Sequence, residues 1–133
     1  MANAIIRNSV PAVTIAADTT TPLGACPFDG FVIRATYTAR AAVAGAASPD
    51  SRTVNLINRG QAGAGAVVVA TRPIIVGASL EDNVEGDLTL GVAANLIVNR
   101  GDVLDWESLA VTGAGGLVDP GGTVEVTIRP ALN

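Results

Sequence analysis

Two carboxylates in the last third of the chain have a spacing that could support acid and base chemistry. Asp105 and Glu107 lie two positions apart, so they share one face if the segment is a strand. Glycosidases use such pairs of carboxylates on either side of the bond that is cleaved. Those enzymes also bind sugars in clefts lined by aromatic residues, and this chain has one Trp and one Tyr. The sequence therefore favours two repelling side chains on a solvated strand face.

A second group of acids could bind a hard cation. Glu81, Asp82, Glu85 and Asp87 carry the oxygen ligands that Ca²⁺ prefers. Their spacing is not that of an EF-hand loop. A solvated acidic turn is therefore the favoured interpretation, with a calcium site at residues 81–87 as the alternative.

The sequence has no His and no Lys, which removes several kinds of catalytic site. Without His there is no Ser-His or Cys-His pair, and without Lys there is no Walker A loop and no Schiff base. The two Gly-x-Gly pairs, at Gly63 and at Gly113, lack the third glycine of a dinucleotide-binding fingerprint. Cys26 is the single cysteine, so we expect no internal disulfide and a small buried side chain. We predict a protein that is not an enzyme and binds no cofactor or metal.

Length and composition indicate one domain rich in turns. The chain has 133 residues, and aromatics make up 3% of it, so the core must be built from aliphatic side chains. No apolar run approaches the roughly 20 residues of a membrane span, and no signal peptide is recognisable. A dense Lys/Arg patch and stacking aromatics are missing from the sequence. Neither a membrane nor a nucleic acid is therefore an expected partner.

The charges are distributed unevenly along the chain. Residues 1–80 hold six Arg and three Asp, a net charge of +3, and residues 81–133 hold two Arg and nine acids, a net charge of −7. Their sum is the formal net charge of −4. Such asymmetry could pair copies head to tail or orient the protein on a charged partner. A solvated acidic face is the interpretation that we favour.

Alternation of apolar and polar side chains with a period of two recurs along the chain and predicts strands. In one such run Phe31, Ile33, Ala35 and Tyr37 are predicted to face the same side. In another, Trp106 has the inward phase and is expected to fill the core. Further runs, separated by turn signals, lie near residues 5–6, 13–15, 52–56, 67–70, 88–92, 96–98 and 123–129. We predict an all-β fold, a single antiparallel β-sandwich of about eight strands.

Residues 1–25 differ in pattern from residues 26–133, which hold the main strands of the predicted sandwich domain. The first segment contains short apolar pieces separated by polar residues and prolines. It is predicted to be either the first strands or an extended N-terminal arm that reaches a neighbour. We predict that Ile5, Ile6 and Arg7 contact a partner, because they lie outside the main pattern.

The last third of the chain carries the clearest family resemblance. Gly101-Asp102-Val103-Leu104 leads into the strand Asp105–Ser108, a glycine-rich loop follows, and Pro120-Gly121-Gly122 precedes the strand Thr123–Ile128. The segments Phe28–Val32 and Ser51–Leu56 are similar in style. This layout resembles the small capsid-decorating (cement) proteins of tailed bacteriophages, which have jelly-roll-like sandwiches.

The resemblance implies a structural protein on the outer surface of a virion capsid, synthesised in the host cytoplasm. It would bridge subunits of the major capsid protein, commonly as a homotrimer, with its N-terminal arm toward the shell. It implies no catalytic residue. The alternative is a receptor-binding or carbohydrate-binding sandwich of a phage fibre, which would need exposed aromatics in a pocket near the loops.

Overall fold

The computed structural model describes residues 2–14, 17–45, 51–75, 79–110 and 117–132, and these residues form an all-β fold, as predicted. The strands are β1 (Ala4–Val10), β2 (Thr19–Ala25), β3 (Gly30–Ala39), β4 (Arg52–Asn58), β5 (Val67–Ile74), β6 (Glu85–Asp87), β7 (Thr89–Leu90), β8 (Ile97–Val98), β9 (Val103–Ala110) and β10 (Gly122–Pro130). A short 3-10 helix, Ala93–Leu96, precedes β8. In this part of the chain no helix has the length and apolar character needed to cross a membrane.

The strands form two antiparallel sheets that pack as a sandwich. The first sheet has the order β1-β10-β3-β6, and β8 pairs with the same edge of β3 as β6 does. The second sheet has the order β2-β9-β4-β5-β7. In each sheet an early strand lies beside a late one, which is the arrangement of a jelly roll. The structure has ten strands, but β6 and β8 occupy one position beside β3 and β7 has two residues. The main strands therefore number about eight, as predicted.

The core lies between the inner faces of the two sheets and is mainly aliphatic. Tyr37 from the first sheet meets Trp106 from the second, with ring centroids 5.1 Å apart and planes tilted by 53°. Trp106 is 1% exposed, which confirms its predicted place in the core. The fully buried aliphatic residues around this pair include Val32, Val54, Leu56, Val69, Ile74, Leu104, Val124, Val126 and Ile128.

A β-bulge in β3 changes the phase that the alternation predicted. The register of β3 on β10 shifts after Val32, so Ile33 has no opposite partner. Val32 and Ala35 both face the core, although strict alternation would place one of them outside. The prediction that Phe31, Ile33, Ala35 and Tyr37 face the same side is therefore wrong, because Ala35 and Tyr37 are buried whereas Ile33 is exposed and Phe31 is half-buried.

The strands drawn from the N-terminal segment are edge strands of the two sheets. β1 lies extended along β10, and β2 lies along β9. β2 had no clear signal in the sequence, because its seven residues include three Thr in a row, one Pro and one Gly. The strand predicted at residues 13–15 is wrong for its described part: Val13 forms an isolated bridge to Asp119, and Ile15 lies outside the described residues.

The positively charged first part of the chain and the acidic last part form ion pairs with each other within the fold. Each ion pair among the described residues joins an Arg of residues 1–80 to an acid of residues 81–133. The pairs are Arg7–Glu125, Arg34–Glu85, Arg34–Asp87, Arg59–Asp105 and Arg59–Glu107. They arise because the jelly roll places early strands beside late ones. Charge asymmetry along the sequence therefore does not by itself predict a charged end of the molecule.

Candidate functional site

An apolar groove opens at the edge of the first sheet, where β3 meets β8 and the 3-10 helix. It has a volume of about 450 Å³ and is lined mainly by Phe31, Ile33, Leu90, Leu96, Ile97 and Arg129. Ile33 is 39% exposed and Ile97 is 51% exposed. Clustered exposed aliphatic side chains of this kind are typical of surfaces that bind another protein.

Strand pairing explains why these side chains meet. The bulge in β3 turns Ile33 outward, and β8 places Ile97 opposite Phe31. On the other side of β3, β10 places Arg129 opposite Phe31. The Arg129 guanidinium lies 5.5 Å from the centroid of the Phe31 ring, within the range of cation-π attraction. The groove therefore has an apolar floor and one positive charge at its rim.

A second groove, of about 560 Å³, shares Phe31 and Arg129 and extends to the C-terminal segment. It is also lined by Asn3, Pro130 and Leu132, and Leu132 is 98% exposed. The two grooves join around the Phe31 ring. We use the name apolar patch for the half-buried Phe31 together with the exposed side chains of Ile33, Ile97 and Leu132.

The three residues predicted to contact a partner lie in β1, on the same sheet as the apolar patch. Ile5 and Arg7 face outward: Ile5 is 57% exposed, and Arg7 forms a 2.6 Å ion pair with Glu125. Ile6 faces inward, is half-buried and packs against the core. Contact of these residues with a partner stays a prediction, and Ile5 has the exposure that such contact needs.

The carboxylates of Asp105 and Glu107 belong to an ion-pair network, so the predicted solvated and repelling pair is wrong. The guanidinium of Arg59 lies 2.9 Å from Asp105 and 3.5 Å from Glu107, and it also donates to the carbonyl of Gly65. Asn55 donates a further hydrogen bond to Glu107. The side chains of the two acids are 17% and 19% exposed. Arg59, just after β4, therefore forms ion pairs with both acids on the outer face of the second sheet.

The acids predicted as a solvated turn or a calcium site divide into two groups. Glu85 and Asp87 are in β6, where both bind Arg34 of the neighbouring β3. Glu81 and Asp82 lie in the preceding turn and are exposed. Within the described ranges no three His, Cys, Asp or Glu side chains are grouped as a metal site requires.

A buried polar cluster connects the two sheets. The guanidinium of Arg52 donates to the hydroxyl of Ser108 at 3.1 Å and to three backbone carbonyls. Ser108 in turn donates to one carboxylate oxygen of Asp119 at 2.6 Å, and the hydroxyl of Tyr37 donates to the other. These four side chains are at most 1% exposed. A serine and a carboxylate therefore meet in a place that a substrate cannot reach.

The burial of this cluster shifts the ionisation of its members. Burial lowers the pKa of the Arg52 guanidinium, although the nearby Asp119 carboxylate opposes that shift. Burial also raises the pKa of the Tyr37 hydroxyl well above its usual range, and the charge of Asp119 raises it further. Tyr37 is therefore a neutral hydrogen-bond donor at all ordinary pH values.

Cys26 occupies a buried position between β2 and β3, as expected for a lone structural cysteine. It is 2% exposed. Burial, and then the nearby charge of Asp102, raise the pKa of its thiol to about 11. The thiolate is the reactive form of cysteine, so this thiol is inert near neutral pH.

Comparison with known proteins gives no relative to guide the assignment. No protein-family model matches the chain. No curated protein and no solved structure matches it either. Function is therefore inferred from the geometry of the molecule and from the chemistry of its residues.

The sequence did not predict most of the apolar patch or of the buried polar cluster, for different reasons. The exposure of Ile33 depends on a bulge, which has no signature in the residues around it. Arg52 did have a signal, because it has the same phase as the buried Val54 and Leu56 and must point inward with them. Asp119 directly precedes the Pro120-Gly121-Gly122 segment, and its burial follows from contacts with distant strands.

Proposed function

We propose that the protein is a structural virion component that binds the outer surface of a phage capsid and stabilises it by bridging subunits of the major capsid protein. The observation that carries the proposal is the apolar patch of Phe31, Ile33, Ile97 and Leu132 on the first sheet. Covering such side chains releases roughly 25 cal/mol for each Å² of apolar surface. A patch of four side chains favours a contact of modest affinity, which becomes strong when it is repeated on a symmetric shell.

The positive charge of Arg129 at the rim of the patch indicates which chemical groups a partner should carry. Arg129 holds its guanidinium beside the Phe31 ring, at the place where the two grooves join. A protein loop that inserts an apolar side chain next to a carboxylate would satisfy both the apolar floor and this charge. A shell of identical subunits offers such a loop many times at regular spacing.

The alternative, a carbohydrate-binding module, has less support from the positions of the aromatic residues. Sugar sites of sandwich proteins usually stack the sugar on exposed rings, whereas Trp106 and Tyr37 are 1% and 0% exposed. Phe31 is half-buried and has Arg129 over its ring. Jelly rolls occur in both capsid proteins and lectins, so the fold alone does not separate the two functions.

The chemically reactive groups of the described residues favour a binding role over catalysis. Cys26 is protonated and buried, and Ser108 is hydrogen-bonded inside the cluster with Arg52 and Asp119. The acids Asp105 and Glu107 share ion pairs with Arg59. Each of these groups stabilises the sandwich, which leaves the surface to carry out the function.

The experiment is a co-sedimentation assay with capsids that lack their decorating protein, taken from the phage that encodes this chain. Ile97→Asp places a charge in the apolar patch and is expected to abolish binding. Ile75→Asp is the matched control, because Ile75 is 43% exposed just after β5 of the second sheet, at the opposite end of that strand from the residues that contact the 3-10 helix. Both variants should keep the unfolding temperature of the wild type.

Binding that survives Ile97→Asp, or an equal loss in both variants, would contradict the patch as the contact surface. Absence of any wild-type binding to these capsids would overturn the proposed function itself. Retained binding to a glycan array would then favour the receptor-binding alternative. The homotrimer implied by the resemblance stays a prediction, and light scattering of the purified protein measures it.

A further inference from the structure

We propose that the free edge of β1 is a self-association site, where β1 pairs antiparallel with β1 of a second copy across a two-fold axis. The first sheets of the two copies would then form one continuous sheet. This inference does not depend on the proposed binding to a capsid. It is an alternative to the homotrimer that the resemblance implies, and the solution mass distinguishes the two assemblies.

The edge of β1 is regular and open. β10 pairs with one side of β1, and no strand of the described residues pairs with the other side. The register is constant over all seven residues, Ala4–Val10, and the strand contains neither Pro nor Gly. An edge strand directs about half of its backbone N–H and C=O groups away from its sheet, where they are a template for another strand.

The other edges of the sandwich have protective features that β1 lacks. β2 contains Pro22, and its register on β9 shifts before Gly24. β6, β7 and β8 are three, two and two residues long. Proline, bulges and short length are three devices by which natural sheets prevent pairing at their edges, and charged side chains are a fourth. The one charged side chain of β1, Arg7, is engaged by Glu125 of the same sheet. The absence of proline, a bulge and short length from β1 points to an edge that pairs with another strand.

The side chains of β1 select one register for the pair. If Arg7 lay opposite Arg7 of the second copy, two like charges would meet on the outer face, which destabilises a strand pair. With Ile6 opposite Ile6 of the second copy, Ile5 instead lies opposite Arg7 of that copy. Residues 2–10 of both copies then overlap, which is a longer pairing than β1 alone provides.

This register also suits the inner and outer faces of β1. Ile6 is half-buried beside Gly24 of β2, and Ile6 of the second copy would cover its remaining surface. On the outer face, Arg7 already pairs with Glu125 through two of its nitrogens, at 2.9 and 2.6 Å. Its charge therefore stays satisfied while its methylene groups pack against Ile5 of the second copy.

The test measures the solution mass of the full chain by light scattering at increasing protein concentration, for the wild type and two variants. Ile5→Lys places a positive charge opposite Arg7 of the second copy at both symmetric positions, whereas Ile5→Glu places an opposite charge there. Both changes remove the same apolar side chain from an exposed position. We expect a wild-type dimer whose dissociation constant rises about tenfold or more with Ile5→Lys and changes much less with Ile5→Glu.

Disulfide cross-linking locates the proposed two-fold axis of the β1 pair without any change of charge. Ile6→Cys should form a disulfide-linked dimer under mild oxidation, whereas Ser9→Cys should not, because Ser9 would lie opposite Asn3 of the second copy. Cys26 is buried and does not compete. A monomer at all concentrations, a trimer that neither Ile5 variant alters, or an equal loss in both variants would overturn the inference. None of these results bears on capsid binding through the apolar patch.

Discussion

The hydroxyl of Tyr37 donates a hydrogen bond to the carboxylate of Asp119, across 82 positions of the chain. Tyr37 belongs to β3 of the first sheet, and Asp119 lies just before β10. Asp119 also accepts a hydrogen bond from Ser108 of the second sheet and from the backbone N–H of Gly121. One buried carboxylate therefore joins the two sheets and the turn that precedes the last strand.

Removal of the Tyr37 hydroxyl should destabilise the sandwich. Tyr37→Phe leaves a buried carboxylate oxygen with one donor fewer, and we expect the free energy of unfolding to fall by about 1–3 kcal/mol. Urea unfolding followed by the fluorescence of Trp106, the single tryptophan, measures the change. Thr38→Val, on the outer side of the same strand, is the control and should change stability by less than about 0.5 kcal/mol. Equal effects of the two variants would contradict a special role for the Tyr37–Asp119 bond.

Loss of the buried cation should cost more than loss of the hydroxyl. Arg52→Met keeps most of the side-chain volume but leaves the carbonyls of Thr14, Ala17 and Leu117 without their donor. It also removes the cation that Ser108 links to the buried Asp119 carboxylate and whose charge acts on that carboxylate through space. Because a buried acceptor left without a donor costs about 1–3 kcal/mol and three carbonyls lose theirs, we expect the free energy of unfolding to fall by about 3 kcal/mol or more. The same urea titration measures it. If Arg52→Met were as stable as the wild type, the cluster would be replaceable by apolar packing.

The sequence predicted the class of the fold because its signals are local. Alternation of Val124, Val126 and Ile128 with polar residues predicts a half-buried strand without knowledge of its neighbours. The buried cluster and the apolar patch depend instead on contacts between distant residues. The outward position of Ile33 needs the bulge against β10, and the burial of Asp119 needs Tyr37 and Ser108 at their places in two different sheets.

A close approach of two backbones predicts that Gly122 tolerates no side chain. A Cβ at this position would lie 2.0 Å from the carbonyl oxygen of Thr38 in the neighbouring strand. Gly122→Ala should therefore force β3 and β10 apart and lower the free energy of unfolding by about 1–3 kcal/mol. Gly63→Asn is the control: Gly63 has a φ of +76°, which Asn tolerates, and no atom lies within 4 Å of its would-be Cβ. A stable Gly122→Ala variant would contradict this spacing of the two strands.

The thiol of Cys26 should act as a reporter of unfolding near neutral pH. It is 2% exposed and its pKa is raised to about 11, so a thiol reagent should modify it only when the chain opens. At reagent concentrations high enough for labelling to outpace refolding, the labelling rate of the native protein should match the rate of global unfolding measured by Trp106 fluorescence. Labelling within the mixing time would contradict the burial of this residue.

The same shift predicts a loss of stability at alkaline pH. In the unfolded chain the thiol titrates near its ordinary pKa of 9.0, whereas in the native state it keeps its proton up to about 11. Between these values the native state binds more protons than the unfolded state, so the free energy of unfolding falls as the pH rises through this window. The thiol should contribute roughly 1–2 kcal/mol to that fall once solvent screening is allowed for. Tyr37 acts in the same direction, because its pKa is also raised.

The Cys26→Ala variant should therefore show a smaller fall in the free energy of unfolding at alkaline pH. Cys26→Ala combined with Tyr37→Phe should show a still smaller fall. A slope that is unchanged in Cys26→Ala would mean that the thiol is already ionised, or accessible to water, in the native protein.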